Sequence, residues 1–120
     1  MSNLISHHGQ NHLIVDSKRK IVLLIDKIIM LEGVAKYTRF YLADGKQKLF
    51  SHTLMSYQND LSKCGFLRVH RGFIINPNYV HDFKSYDKEL VMENNLIANV
   101  SRRIGNQQDV KKMLRKFRSE

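Results

Sequence analysis

The sequence predicts a mainly β fold, a small β-sandwich of short antiparallel sheets with one internal helix and a C-terminal amphipathic helix. Three observations point there. Most apolar residues fall in short runs rich in Val, Ile, Leu, Phe and Tyr, too short and too β-branched for independent helices. Turn signals recur between those runs: Asp44-Gly45, Asn76-Pro77-Asn78, Asp87-Lys88 and Asn94-Asn95. Only two windows carry helical periodicity.

Taken in order, residues 1–12 are polar and histidine-rich and read as a flexible N-terminal lead-in, with the domain running from 13 to 120. Leu13 to Val15, Lys20 to Ile25 and Ile28 to Leu31 are aliphatic strand candidates, separated by Asp16-Ser17-Lys18 and Asp26-Lys27. Tyr37 to Leu42 and Lys46 to Phe50 flank Asp44-Gly45 and read as a tight hairpin. Between Ser51 and Lys63, Leu54, Tyr57, Gln58 and Leu61 stand at helical spacing, with Ser51 placed to cap the start and Gly65 to end it. Phe66 to Asn76 is strand-like and ends in a turn at Pro77. Val80 to Tyr86 and Glu89 to Glu93 form a second hairpin, followed by Leu96 to Val100. Val110, Met113, Leu114 and Phe117 make an i, i+3, i+4, i+7 stripe opposite Lys111, Lys112, Arg115 and Lys116. A stripe this short covers a small β domain more readily than it coats a membrane.

Charge narrows the partner. The 120 residues hold 20 Lys+Arg against 11 Asp+Glu, a formal net charge of +9. From Ser101 to Glu120 there are seven basic residues and two acids, so more than half of the excess sits there. Such a balance attracts polyanions, most plainly nucleic acid. Two arginine clusters sharpen this: Arg68-Val69-His70-Arg71-Gly72, and Val100-Ser101-Arg102-Arg103. The guanidinium fork matches phosphate oxygens and the acceptor edge of guanine. A helix-turn-helix reader needs two adjacent helices, whereas the two candidates here lie about forty residues apart, so recognition falls to loops and strand ends.

Other classes fit less well. The acids are scattered and no Ser or Cys stands in a nucleophile setting, so the sequence offers no catalytic constellation. The lone Cys64 forms no internal disulfide, as expected of a reducing cytoplasm, and no cofactor or metal site is evident; His7, His8 and His12 lie in the polar lead-in. No apolar run reaches the length of a membrane span.

The order of motifs resembles the LytTR domain, the DNA-binding output module of the LytR/AlgR class of bacterial regulators. The resemblance covers roughly Ile21 to Met113. It is carried by Ile28 through Gly33, Tyr37-Thr38, Asp44-Gly45-Lys46, Thr53-Leu54, Phe66 through Asn76, Val80 and Val100-Ser101-Arg102-Arg103. It implies a small β-sandwich reading major grooves through loops. It also implies DNA contacts from Lys36, Tyr37 and Thr38, from Arg71 and the residue after it, and from Arg102 and Arg103. Position 72, usually Ser in the family, is Gly here. The partner so implied is duplex DNA with repeated half-sites bound by two copies. No receiver domain precedes the module in these residues, so the chain reads either as freestanding or as part of a longer regulator.

The residues themselves leave roles open. Arg71 and Arg103 are candidates for base or phosphate contact, with Ser101 a hydroxyl beside them. Arg68 and Arg102 either contact DNA or fix their loops; alternation along a strand would aim Arg68 to the same side as His70. His70 either shapes the reading loop through the backbone or touches DNA. Asn76 reads as a turn-former. The rival reading is a single-stranded nucleic-acid or RNA-binding β module, with Tyr37, Phe40, Tyr41 and Phe50 as stacking platforms.

Overall fold

The computed structural model describes residues 2–117; Arg118 and Glu120 of the basic C-terminal stretch lie outside them. Three antiparallel sheets carry the fold. Strands β1 (Leu4–His7), β2 (Gln10–Asp16) and β3 (Ile21–Leu24) form the first. The central sheet has five strands: β4 (Ile28–Val34), β5 (Tyr37–Leu42), β6 (Gln47–Phe50), β7 (Leu67–His70) and β8 (Phe73–Ile75), in the order β6-β5-β4-β8-β7. Strands β9 (Val80–Lys84), β10 (Glu89–Met92) and β11 (Ile97–Asn99) make the third. Helix α1 (Leu54–Lys63) joins β6 to β7, and α2 (Arg102–Gly105) and α3 (Gln108–Arg115) follow β11.

The central sheet separates two cores. On one face Leu31, Phe40, Phe50 and Ile74 pack with Leu13 and Val15 of β2 and with Leu54, Tyr57 and Leu61 of α1. On the other, Met30, Val69 and Ile75 pack with Phe83, Leu90 and Ala98 of the third sheet and with Val110, Met113 and Leu114 of α3. Strand β4 serves both, and a bulge lets it do so. Ile28 pairs with Leu42 and Met30 with Tyr41, leaving Ile29 as the extra residue. Ile29 and Met30 therefore both enter the second core, while Ile28 and Leu31 enter the first. All four are at most 2 % exposed.

Local chemistry accounts for the connections. The β5–β6 hairpin closes over a turn in which Gly45 N–H donates to Leu42 O at 3.0 Å, with Gly45 at φ +90° and the Asp44 carboxylate accepting from Lys46 N–H at 2.9 Å. That is a type I turn with a glycine bulge, one residue longer than a two-residue hairpin. Helix α1 ends as its glycine predicts. Gly65, at φ +90°, donates to Ser62 O, and Phe66 N–H donates to Leu61 O at 3.0 Å. Its start differs: Thr53, not Ser51, occupies the cap position, and no side chain caps the helix there.

The N-terminal stretch corrects the reading of a flexible lead-in. His8 and Gly9 both have positive φ, 53° and 76°, the backbone of a two-residue hairpin turn, and they join β1 to β2. Asp60 of α1 ties the far end down: its carboxylate accepts from Ser2 Oγ and Asn3 N–H, each at 3.0 Å.

Asn76 joins the two halves of the fold. It is 4 % exposed; its Nδ2 donates to Ile28 O at 3.0 Å, its Oδ1 accepts from Asn78 N–H at 3.1 Å, and its own N–H donates to Ile29 O. It forms the turn, as expected, and also holds the β4 bulge. Asn76→Ala leaves a buried carbonyl unpaired, so unfolding in urea should show a loss of about 2 kcal/mol with little change in the denaturant slope. A loss under about 0.5 kcal/mol would mean that water replaces the amide.

Candidate nucleic-acid interface

The two arginine clusters meet in space. Strand β7 and strand β8 form a hairpin whose turn is Arg71-Gly72, so the run Phe66 to Asn76 doubles back on itself. Ser101 N–H donates to Val69 O at 2.9 Å, which seats the end of the third sheet against β7. The Ser101 hydroxyl then accepts from Ile104 N–H at 3.0 Å and caps α2. Arg102 and Arg103 consequently ride on a single helical turn and not on a loop. The turn and α2 enclose an open depression of about 530 Å³ lined by His70, Arg71, Ser101, Arg103, Ile104 and Gln107. Arg71 and Arg103 are exposed, and neither forms an ion pair among the described residues. Ile104 and Gln107 were not singled out from the sequence; the Ser101-x-x-Ile104 spacing of a capped turn is the signal that locates them.

Arg68 has a different task. A bulge between Arg68 and His70 breaks the alternation that would have put them on one side. Arg68 lies opposite Ile74, on the α1 face, and His70 opposite Phe73, on the other. The Arg68 guanidinium reaches under the turn: Nε donates to His70 O at 2.9 Å, a second nitrogen donates to Arg71 O at shorter range, and the third donates to Gln58 Oε1 of α1 at 2.5 Å. Burial pulls its pKa below the usual arginine value. Every nitrogen of the fork is engaged, so Arg68 braces the turn that presents Arg71.

His70 completes that brace. Gly72 N–H donates to His70 Nδ1 at 3.0 Å, so Nδ1 is the acceptor and the proton of the neutral ring sits on Nε2. The ring packs on Phe73 with centroids 5.7 Å apart. At Gly72 an added Cβ would meet only the His70 ring, no closer than 3.4 Å, so the turn leaves room for the serine that the family resemblance places there.

The third expected segment is only partly available. Ala35 and Lys36 form the turn between β4 and β5, at the same end of the central sheet as Arg71-Gly72, since Gly33 N–H donates to Gly72 O at 2.9 Å. Lys36 is exposed and Tyr37 is 46 % exposed. Thr38 is fully buried, and its hydroxyl donates to His52 O at 2.6 Å, so its side chain is withdrawn from any partner. The pleat explains this: Thr38 shares a face with Phe40 and Leu42 in the first core. None of the three lines the Arg71–Arg103 depression. Arg102 points elsewhere, into a separate cavity with Lys88 and Lys111. Of the aromatic residues offered for stacking, Phe40 and Phe50 are buried and Tyr41 donates its hydroxyl to Glu32 at 2.6 Å. Only Tyr37 stands open.

The model of the LytTr DNA-binding domain matches residues 18–115. The chain belongs to that family. A solved LytTr DNA-binding domain from Bacillus cereus shares the fold, with a TM-score of 0.68 at 22 % identity over 86 % of this chain and 95 % of that one. No curated protein matches. Membership makes the chain a DNA-binding domain of the kind carried by transcriptional regulators. The nine candidate residues of this LytTR domain separate into exposed, bracing and buried sets.

Arg68→Ala removes two hydrogen bonds from the turn and one that ties it to α1. It should lower stability by about 1–3 kcal/mol. It should also speed amide exchange at Gly72 well beyond that at core amides such as Leu31. Uniform exchange across the domain would show that Arg68 serves global stability and not the turn.

Proposed function

We propose that this LytTR domain binds duplex DNA sequence-specifically, as a bacterial transcriptional regulator or its output domain, with the Arg71 turn and the Arg103 turn entering the major groove. The observation that carries this reading is the convergence of Arg71 and Arg103, both exposed and without an ion pair among the described residues, on one open depression beside a braced turn. An arginine held on a fixed backbone can present both donors of its fork to the O6 and N7 of guanine, a contact that a mobile arginine makes at greater entropic cost. His70 supports the reading with a free Nε2 at the edge of the same depression. Ser101 acts through the cap it makes, holding Arg103. Lys36 and Tyr37, at the same end of the sheet, are suited to the flanking backbone.

The single-strand alternative loses its main support once Phe40, Tyr41 and Phe50 are accounted for by the fold. One exposed ring is a poor platform for successive bases. Competition between duplex and single-stranded oligonucleotides separates the two readings directly.

Arg71→Ala and Arg103→Ala should each reduce affinity for the preferred duplex by on the order of 1–3 kcal/mol and relax preference at one position, with much less effect on unrelated duplexes. Selection from a randomised duplex pool checks this, and variants that retain the wild-type preference while losing affinity uniformly would reassign both arginines to phosphates.

A module this size covers little DNA, since single modules bury roughly 600–1,000 Å². Two copies on repeated half-sites are therefore expected. Footprinting and mass measurement of the complex at saturation should give two protected half-sites, and one protein per specific duplex would contradict the arrangement.

A further inference from the structure

Arg102, one residue before Arg103 on the same turn, lines a different and smaller space. This cavity, about 70 Å³, lies between α2, α3 and the β9–β10 loop. Four cations from three elements converge on it: Lys88, Arg102, Lys111 and Arg115. Its apolar lining is Phe83, Val100 and Leu114, and Ser101 and Asn106 add a hydroxyl and an amide. No Asp or Glu lines it, and none of the four cations has an ion pair among the described residues.

Packing alone gives no reason for this arrangement. Cations gathered on one cavity without a carboxylate repel one another. Lys88 is held in place: its φ is 55°, and its carbonyl accepts from Val100 N–H at 2.8 Å. Arg115 stands one turn after Lys111 on α3, whose buried Val110, Met113 and Leu114 fix its orientation. A multiply charged oxyanion would turn the repulsion into attraction. The volume, about 70 Å³, has room for one such group.

We propose that this cavity binds a phosphate group, with Arg102 and Arg115 donating guanidinium N–H pairs to its oxygens and Lys88 and Lys111 acting as point charges. The phosphate is either a diffusible one or part of a DNA backbone; the recognition chemistry is the same. The site does not depend on the Arg71–Arg103 depression, because Arg102 and Arg103 line separate cavities.

The test uses the whole chain and the double variant Lys111→Gln with Arg115→Gln, both positions exposed. Lys112→Gln with Lys116→Gln removes the same charge from residues that do not line the cavity and sets the baseline. Thermal unfolding is measured in inorganic phosphate and in chloride at matched pH and ionic strength. Wild type and the baseline variant should gain several degrees as phosphate rises, and the cavity variant should not. In a second arm, duplex affinity is measured across a salt series. A slope shallower than the baseline variant's, by about 0.9 per lost contact, assigns the phosphate to the DNA backbone unless the cavity variant still gains from free phosphate. An equal slope with a phosphate-specific gain assigns it to a diffusible phosphate. Equal slopes without such a gain overturn the site, as does a gain that the cavity variant retains. The phosphate arm involves no DNA, so its outcome stands whether or not Arg71 and Arg103 read bases.

Discussion

Burial of strand β4 on both faces is the constraint from which the rest of the molecule follows. A strand covered on both sides cannot alternate apolar with polar residues, and Ile28-Ile29-Met30-Leu31 does not. The bulge at Ile29 delivers two side chains to one core without surrendering the other. Each core recruits its own cover, the first sheet with α1 on one side and the third sheet with α2 and α3 on the other. The Arg71-Gly72 turn lies where both covers reach β7. Arg68 extends toward α1, and the Val69 carbonyl accepts from Ser101 at the start of α2. Neither arginine cluster would be positioned if one layer were absent.

Much of this was legible because it is written in short-range chemistry. Asp44-Gly45 marked a hairpin since a glycine with positive φ is needed there, and Gly65 marked the helix end for the same reason. The α1 stripe of Leu54, Tyr57 and Leu61 and the α3 stripe of Val110, Met113 and Leu114 were read from period alone and are buried as that period requires. The arginine pairs were legible as chemistry. Their meeting was not, because it depends on a hydrogen bond between residues 69 and 101 that no local pattern encodes.

The remaining differences have a common cause: tertiary partners override local signals. The N-terminal residues look polar and unstructured until Asp60, nearly sixty positions away, accepts from Ser2 and Asn3. Ser51 is a sound cap by type, yet the helix begins after Thr53, where Leu54 reaches the first core and lies against Gly33. The side on which Arg68 stands was misread because alternation holds only in an uninterrupted ladder, and β7 has a bulge. Thr38 was expected among the contacts from the family resemblance, although strand parity puts it with Phe40 and Leu42. Parity within the hairpin would have been the better guide.

The division among the basic residues follows from desolvation. A guanidinium moved toward the interior must recover the hydrogen bonds it gave to water. Arg68 does so with His70 O, Arg71 O and Gln58, and is thereby committed to the fold. Arg71 stays hydrated, contributing only its carbonyl to the brace while its side chain remains available. The turn therefore combines a fixed backbone with an uncommitted donor fork, two properties that one arginine could not supply. Arg102 and Arg103 extend the same logic along a single helical turn. The Ser101 cap fixes their backbone, and their side chains line two separate cavities of different size, about 70 and 530 Å³.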